Sequence, residues 1–170
     1  MRVRTFLGIG VFMLVAAAGL SAQAQSRTAP VSLGVFVGAA FPQGNTATFP
    51  DADATMNFNW GFYVNIPLVQ TFALTPSAEL YKLGKQNATD FDIAFKFIVP
   101  LQTWSFYAGF SPGLTAGNEV IDPHVGLLAG AGMNLVSNID GFAQVKYDFI
   151  FDGSENLKVL HVNAGLIFNF

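Results

Sequence analysis

The chain has 170 residues, of which 52% are hydrophobic and only 11% charged, with a formal net charge of −3 and no cysteine. That length suits one domain, but globular chains usually carry about a quarter charged residues, so this one has little with which to cover a water-facing surface. The small negative charge excludes a nucleic-acid binder that tracks phosphates, and the lack of Cys excludes disulfides and thiolate metal sites.

Met1 to Ala24 reads as a secretory signal. Arg2 and Arg4 form its basic start, Phe6 to Ala18 its apolar core and Ala22-Gln23-Ala24 its cleavage site. The core is short for a membrane helix, which needs about 20 apolar residues. Cleavage after Ala24 leaves residues 25–170 as a single domain with six basic residues against all 11 acids. No later segment is an uninterrupted apolar helix of spanning length, so in a membrane this chain crosses with strands.

From Val31 onward the hydrophobic period is two, the signature of strands with unlike faces. Val31 to Phe41 sets Leu33, Val35 and Val37 against Ser32, Gly34 and Phe36, and a polar loop, Gln43 to Ala54, follows. Met56 to Ile66 sets Phe58, Trp60 and Phe62 against Asn57, Asn59 and Tyr63, and Pro67 to Gln70 is a tight turn. Thr71 to Leu83 sets Phe72, Leu74 and Leu80 against Thr75, Ser77 and Glu79, before a polar loop, Gly84 to Thr89. Asp90 to Val99 alternates most cleanly, with Phe91, Ile93, Phe95 and Phe97 against Asp90, Asp92, Ala94 and Lys96. The turn Pro100 to Thr103 echoes the Pro67 turn one hairpin earlier. Ser105 to Thr115, Val125 to Leu135 and Gly141 to Phe151 continue the pattern, separated by the loop Gly117 to Pro123 and the turn Ser137 to Asp140. After the loop Asp152 to Asn156, Leu157 to Phe170 closes the series with Leu160, Val162, Ala164, Leu166, Phe168 and Phe170 on one face.

Eight antiparallel strands of about ten residues match what a tilted strand needs to cross a bilayer. The even count puts both ends on one side, here taken as periplasmic. An eight-stranded barrel encloses only side-chain filling or one small ligand. The apolar sets, which carry much of the chain's 18 Phe, therefore face lipid, and the small and polar sets fill the lumen. The fold class expected is all-β, an eight-stranded antiparallel transmembrane β-barrel.

Signal, alternating segments and closing strand together resemble the small eight-stranded outer-membrane barrels of Gram-negative bacteria, of the OmpA transmembrane domain and OmpX kind. The resemblance covers nearly all of the mature chain. It implies an outer-membrane location, contact with outer-membrane lipids, and an assembly machinery that recognises the terminal pattern ending in Phe168 and Phe170. Pro76 and Pro112 depart from the pattern, because proline cannot donate to a ladder; bulges or different strand ends are expected there.

Inside the barrel, counting by twos places Glu79, Asp92, Lys96, Lys146 and Asp148 on one inner face. Unpaired buried ions cost several kcal/mol each, so both lysines are expected to touch one of these acids and form a structural plug. His161 and Asn163 share that face. The run His161-Val162-Asn163-Ala164-Gly165 is close to a His-x-Ser-Asn-Ala-Gly pattern of eight-stranded lipid A deacylases, but Asn163 stands in the Ser slot and cannot be a nucleophile. His124, beside Pro123, reads as a rim residue. No catalytic, cofactor or metal residues are expected. Trp60, Trp104 and Tyr147 fit aromatic girdles, whereas Tyr81 and Tyr107 fall on the inner set. The role expected is structural or surface-interacting, with a narrow pore as the alternative and a lipid-modifying enzyme third; the polar loops, with Asp51, Asp53, Asp90, Glu119, Asp122, Asp152 and Glu155, are where an external ligand would bind.

Overall fold

The structure, a computed structural model, describes residues 31–45, 52, 56–117, 120–153 and 155–170. The signal segment Met1 to Ala24 lies outside these residues, as do Asp51, Asp53 and Glu119. Eight strands follow in order: β1 Ser32–Gln43, β2 Asn57–Val69, β3 Phe72–Leu83, β4 Gln86–Pro100, β5 Trp104–Gly117, β6 Val120–Val136, β7 Ile139–Asp152 and β8 Glu155–Asn169. Each pairs antiparallel with its neighbour in sequence, and β1 pairs with β8 to close the barrel. Closure leaves no free sheet edge, as a backbone surrounded by lipid requires.

The strands run 12 to 17 residues, longer than the periodicity suggested. Most of the extra length lies at the end away from the termini. Gln86–Thr89, Val120–Pro123 and Glu155–Asn156 are strand rather than loop, and only Gly84, at φ 61°, and Lys85 separate β3 from β4. Polar residues here remain in the ladder because each strand edge still has a partner.

Neither proline makes a bulge. Pro76 pairs with Ile93 and Pro112 with Val125 in unbroken register. On their other edges, the β2–β3 ladder passes from Tyr63↔Ser77 to Ile66↔Leu74, and the β4–β5 ladder from Asp92↔Gly113 to Phe95↔Phe110, without any shift of register. Each proline thus leaves a gap of two pairs where its missing N–H would have donated. The register shifts instead lie beside turns, at Pro67/Val69 and Asn134/Val136.

The outer wall is apolar: Val35, Val37, Phe58, Trp60, Phe97, Phe106, Phe110, Leu127, Val145 and Val162 are all exposed. β8 ends at Asn169, one residue short of the terminus, and the Phe170 N–H reaches the Val31 carbonyl at 3.3 Å. Phe168 pairs with Leu33 on β1 and Ile139 on β7, while the Phe170 side chain is 81% exposed on the wall.

The lumen is filled in three layers. Near the termini, the rings of Phe36, Tyr63 and Phe142 pack with centroids 5.4 to 6.5 Å apart, against Ile167. At the distal end Leu83, Ile150, Leu157 and Val159 are buried together with Ala40 and Ala88. Charged side chains occupy the space between.

Candidate functional site: the charged lumen layer

β-strand alternation brings one side chain in two from β3, β4, β6, β7 and β8 into this middle layer. Glu79 and Asp90 are direct cross-strand partners, as are Lys146 and His161. Like charges opposite one another repel, so each pair needs the other. The Lys146 ammonium meets this need, lying 2.9 Å from Asp92 Oδ2, 3.0 Å from Asp148 Oδ2, 3.2 Å from Glu79 Oε2 and 3.7 Å from Asp90 Oδ2. All five side chains are buried.

Two histidines complete the layer. His161 Nδ1 lies 2.8 Å from Glu79 Oε1, and its Nε2 lies 3.2 Å from Asp148 Oδ2. His124 Nε2 lies 2.5 Å from Asp92 Oδ1, and its Nδ1 lies 2.8 Å from Thr115 Oγ1. The Thr115 hydroxyl donates to Asp90 Oδ1 at 2.7 Å, so His124 Nδ1 must be the donor to Thr115. Carboxylates only accept. Both nitrogens of His124 therefore face acceptors, the pattern of an imidazolium, while His161 Nδ1 also lies 3.2 Å from the Asn59 amide nitrogen. Lys146 and the two histidines thus stand among four acidic side chains, and Asp90 also accepts from Tyr81 Oη at 3.0 Å. Asn59 donates to Glu79 Oε1 at 2.5 Å and to Asn163 Oδ1 at 2.8 Å, tying β2 and β8 into the same network.

Glycine makes the room. Gly113 is the register partner of His124, and a Cβ there would meet His124 Nε2 and the Phe91 carbonyl at 2.5 Å each.

Of the residues expected to cluster, Glu79, Asp92, Lys146 and Asp148 come together, and Lys96 does not. It sits on β4 two inward positions nearer the termini than Asp92, a rise of roughly 13 Å along the strand. Among the described residues it forms no ion pair. Its ammonium instead lies over the rings of Tyr63 and Tyr107, 4.4 and 4.9 Å from their centroids. His124 is no rim residue, being only 2% exposed within the layer. Asp90, read as a loop acid as well as an inner one, is fully buried. The signal for both was present, since His124 alternates with Val125 and Leu127, and Asp90 with Phe91.

Two triads, Asp90–Asp148–His161 and Asp92–His124–Asp148, hold donor atoms within 4.8 Å of one another. The Lys146 ammonium lies 3.0 Å from Asp148, the residue common to both, and so places a positive charge beside each triad. A cavity of about 20 Å³ separates Lys96 from Lys146 and is lined by Tyr63, Ser111 and Gln144. That is room on the order of one water molecule. Among the described residues, Ser111 Oγ and Gln144 Oε1 have no hydrogen-bond partner.

A closed eight-stranded antiparallel barrel, apolar outside and ion-paired within, is the architecture of the small outer-membrane barrels. Among solved structures, the chain is similar to Neisserial surface protein A, with a TM-score of 0.68 and 14% identity over 82% of this chain and 97% of that one. It is also similar to Ail, the attachment invasion locus protein of Yersinia pestis, with a TM-score of 0.50 and 13% identity over 84% of this chain and 97% of that one. No protein-family model and no curated protein sequence matches the chain.

Proposed function

We propose that this chain is an exported outer-membrane protein that acts through its surface, as a structural or interaction barrel, with its lumen closed. One observation carries this reading: an ion-paired layer centred on Lys146 lies between the packed rings of Phe36, Tyr63 and Phe142 and a distal cluster of Leu83, Ile150, Leu157 and Val159, so the described side chains fill the lumen at three levels. The exposed apolar wall supports insertion in a bilayer. Phe168 and Phe170, at the closing strand, suit recognition by an outer-membrane assembly machinery, and the N-terminal segment suits export by a cleaved signal. Catalysis has no place in the proposal. His161 and Asn163, the residues nearest to a deacylase pattern, are held inside the lumen by Glu79, Asp148 and Asn59, out of reach of a lipid.

The test is a pair of measurements. In planar bilayers the purified barrel should leave the baseline unchanged, and in a Gram-negative host it should fractionate with the outer membrane. Steady conductance steps altered by Lys146→Met would replace this reading with the narrow pore.

A further inference from the structure

The inner wall of the barrel is uneven at one height. Inward positions run Gly109 and Ser111 on β5 and Gly126, Leu128 and Gly130 on β6, small apart from the leucine. Register sets two of the glycines against long side chains: Lys96 pairs with Gly109, and Gln144 with Gly130. Ser111 pairs with Gly126, where an added Cβ would lie 2.5 Å from the Ser111 hydroxyl. Small residues beside long, tethered ones leave a hollow in a wall that is otherwise filled. That hollow is the cavity of about 20 Å³ between Lys96 and Lys146.

Its wall is polar and electrically mixed. Lys96 and Lys146 line it, and so do Glu79 and Asp92. Among the described residues, two buried atoms on this wall have no hydrogen-bond partner: Oγ of the fully buried Ser111 and Oε1 of Gln144. An amide oxygen only accepts, whereas a hydroxyl both donates and accepts. A metal cation placed here would meet two lysines. An anion would meet two acids and an oxygen that needs a donor. A neutral molecule that donates and accepts, one water in size, suits every group on the wall.

We propose that this cavity is a binding site for a single water molecule, which accepts from the Lys96 ammonium, donates to Gln144 Oε1 and shares a hydrogen bond with the Ser111 hydroxyl. The volume is enough for one water, and about three polar partners are what a buried water ordinarily has. The water joins Lys96, which stands apart from the carboxylates, to the wall of the charged layer. Lys96, Ser111 and Gln144 are thereby the residues of a solvent site, set between the aromatic rings and the ion pairs. The inference rests on the closed-lumen reading, because an open lumen would hold bulk solvent at this height.

The folded barrel, isotopically labelled in deuterated detergent micelles, is read by NMR for magnetisation transfer from water. The Gln144 side-chain amide should show a water cross-peak of opposite sign in laboratory-frame and rotating-frame spectra, the mark of a long-lived bound water rather than of proton exchange. Lys96→Met should lose most of that cross-peak while the gel mobility of the folded barrel stays unchanged. Ser111→Ala separates a hydrated cavity from a dry one by sign. With water bound it removes a bonded hydroxyl and lowers the urea midpoint; in a dry cavity it removes an unpaired one, and the midpoint holds or rises. No cross-peak at Gln144, or a midpoint that does not fall in Ser111→Ala, overturns the proposal. A Gln144 signal that shifts when gluconate replaces chloride at constant ionic strength makes the ligand an anion and overturns it too. Water cross-peaks along the whole lumen overturn the single site together with the closed-lumen reading, whereas a silent bilayer and a dry cavity overturn the site alone.

Discussion

Lys146→Met is the most discriminating perturbation of the lumen. Methionine keeps much of the volume but removes an ammonium that lies within 4 Å of Glu79, Asp90, Asp92 and Asp148. Two histidines would then face four acidic side chains in a space with almost no solvent. Removing one partner of a buried ion pair typically costs about 3–5 kcal/mol, which corresponds to a shift of roughly two to three and a half powers of ten in the unfolding equilibrium. Lys96→Met provides the internal control. That lysine is equally buried but rests on two tyrosine rings, contacts worth about 0.5–2 kcal/mol each, and its removal also relieves the cost of burying a charge. It should therefore destabilise by less than about 2 kcal/mol. Both numbers come from reversible urea unfolding of the barrel in phospholipid vesicles, followed by tryptophan fluorescence at Trp60 and Trp104 and by the heat-modifiable shift on gels. Lys146→Met within about 1 kcal/mol of wild type, or a cost no greater than that of Lys96→Met, would refute the assignment of Lys146 as the counter-ion of the layer.

Other substitutions test separate elements. His124→Leu should cost about 1–3 kcal/mol, because Asp92 and Thr115 each lose a buried partner; an exposed rim histidine would change unfolding by no more than about 0.5 kcal/mol. Gly165→Ala places a methyl against the Val35 carbonyl and 2.8 Å from both Phe142 Cε1 and Phe36 Cα. It should cost about 1–3 kcal/mol by overpacking, whereas Gly132→Ala meets the movable Ser105 hydroxyl at 2.9 Å and the Gly141 carbonyl at an ordinary 3.7 Å and should be milder by the same unfolding assay. Replacing Phe170 by Asp should cut the yield of heat-modifiable barrel in cells several-fold, and unchanged assembly would remove this residue from the recognition signal.

The barrel was legible because the period of two fixes a side chain's face wherever a strand continues. Val35, Phe62, Phe97 and Val162 all point outward as alternation requires, and Glu79, Asp92 and Lys146 all point inward. Height along the barrel axis was legible only within a strand. Between strands it depends on stagger, which no single strand encodes, so which acids meet Lys146 was not readable; that Lys96 stands four residues and roughly 13 Å from Asp92 was readable on β4 itself and was overlooked. Polar composition also misled at the distal turns. Gln86, Asn87 and Val120 remain in the ladder because closure supplies partners that residues in an open loop lack. At Pro76 and Pro112 the register proved stronger than the lost hydrogen bond. Each proline keeps a complete ladder on one side, so a gap of two pairs costs less than shifting every side chain beyond it to the wrong face.

The composition of the charged layer bears on how such a barrel can form. β1 to β4 contribute Glu79, Asp90, Asp92 and, at a different level, Lys96; the counter-ions Lys146, His124 and His161 all come from β6, β7 and β8. The first four strands alone would therefore carry three carboxylates into hydrocarbon with no cation at their height. The last three would carry Lys146, His124 and His161 with Asp148 as their one contacting acid in the layer. Neither half is electrically tolerable in a membrane without the other, so stepwise insertion of hairpins meets a barrier that falls only when β8 meets β1. Closure and charge neutralisation become one cooperative event, and a chain truncated after β4 should remain outside the bilayer.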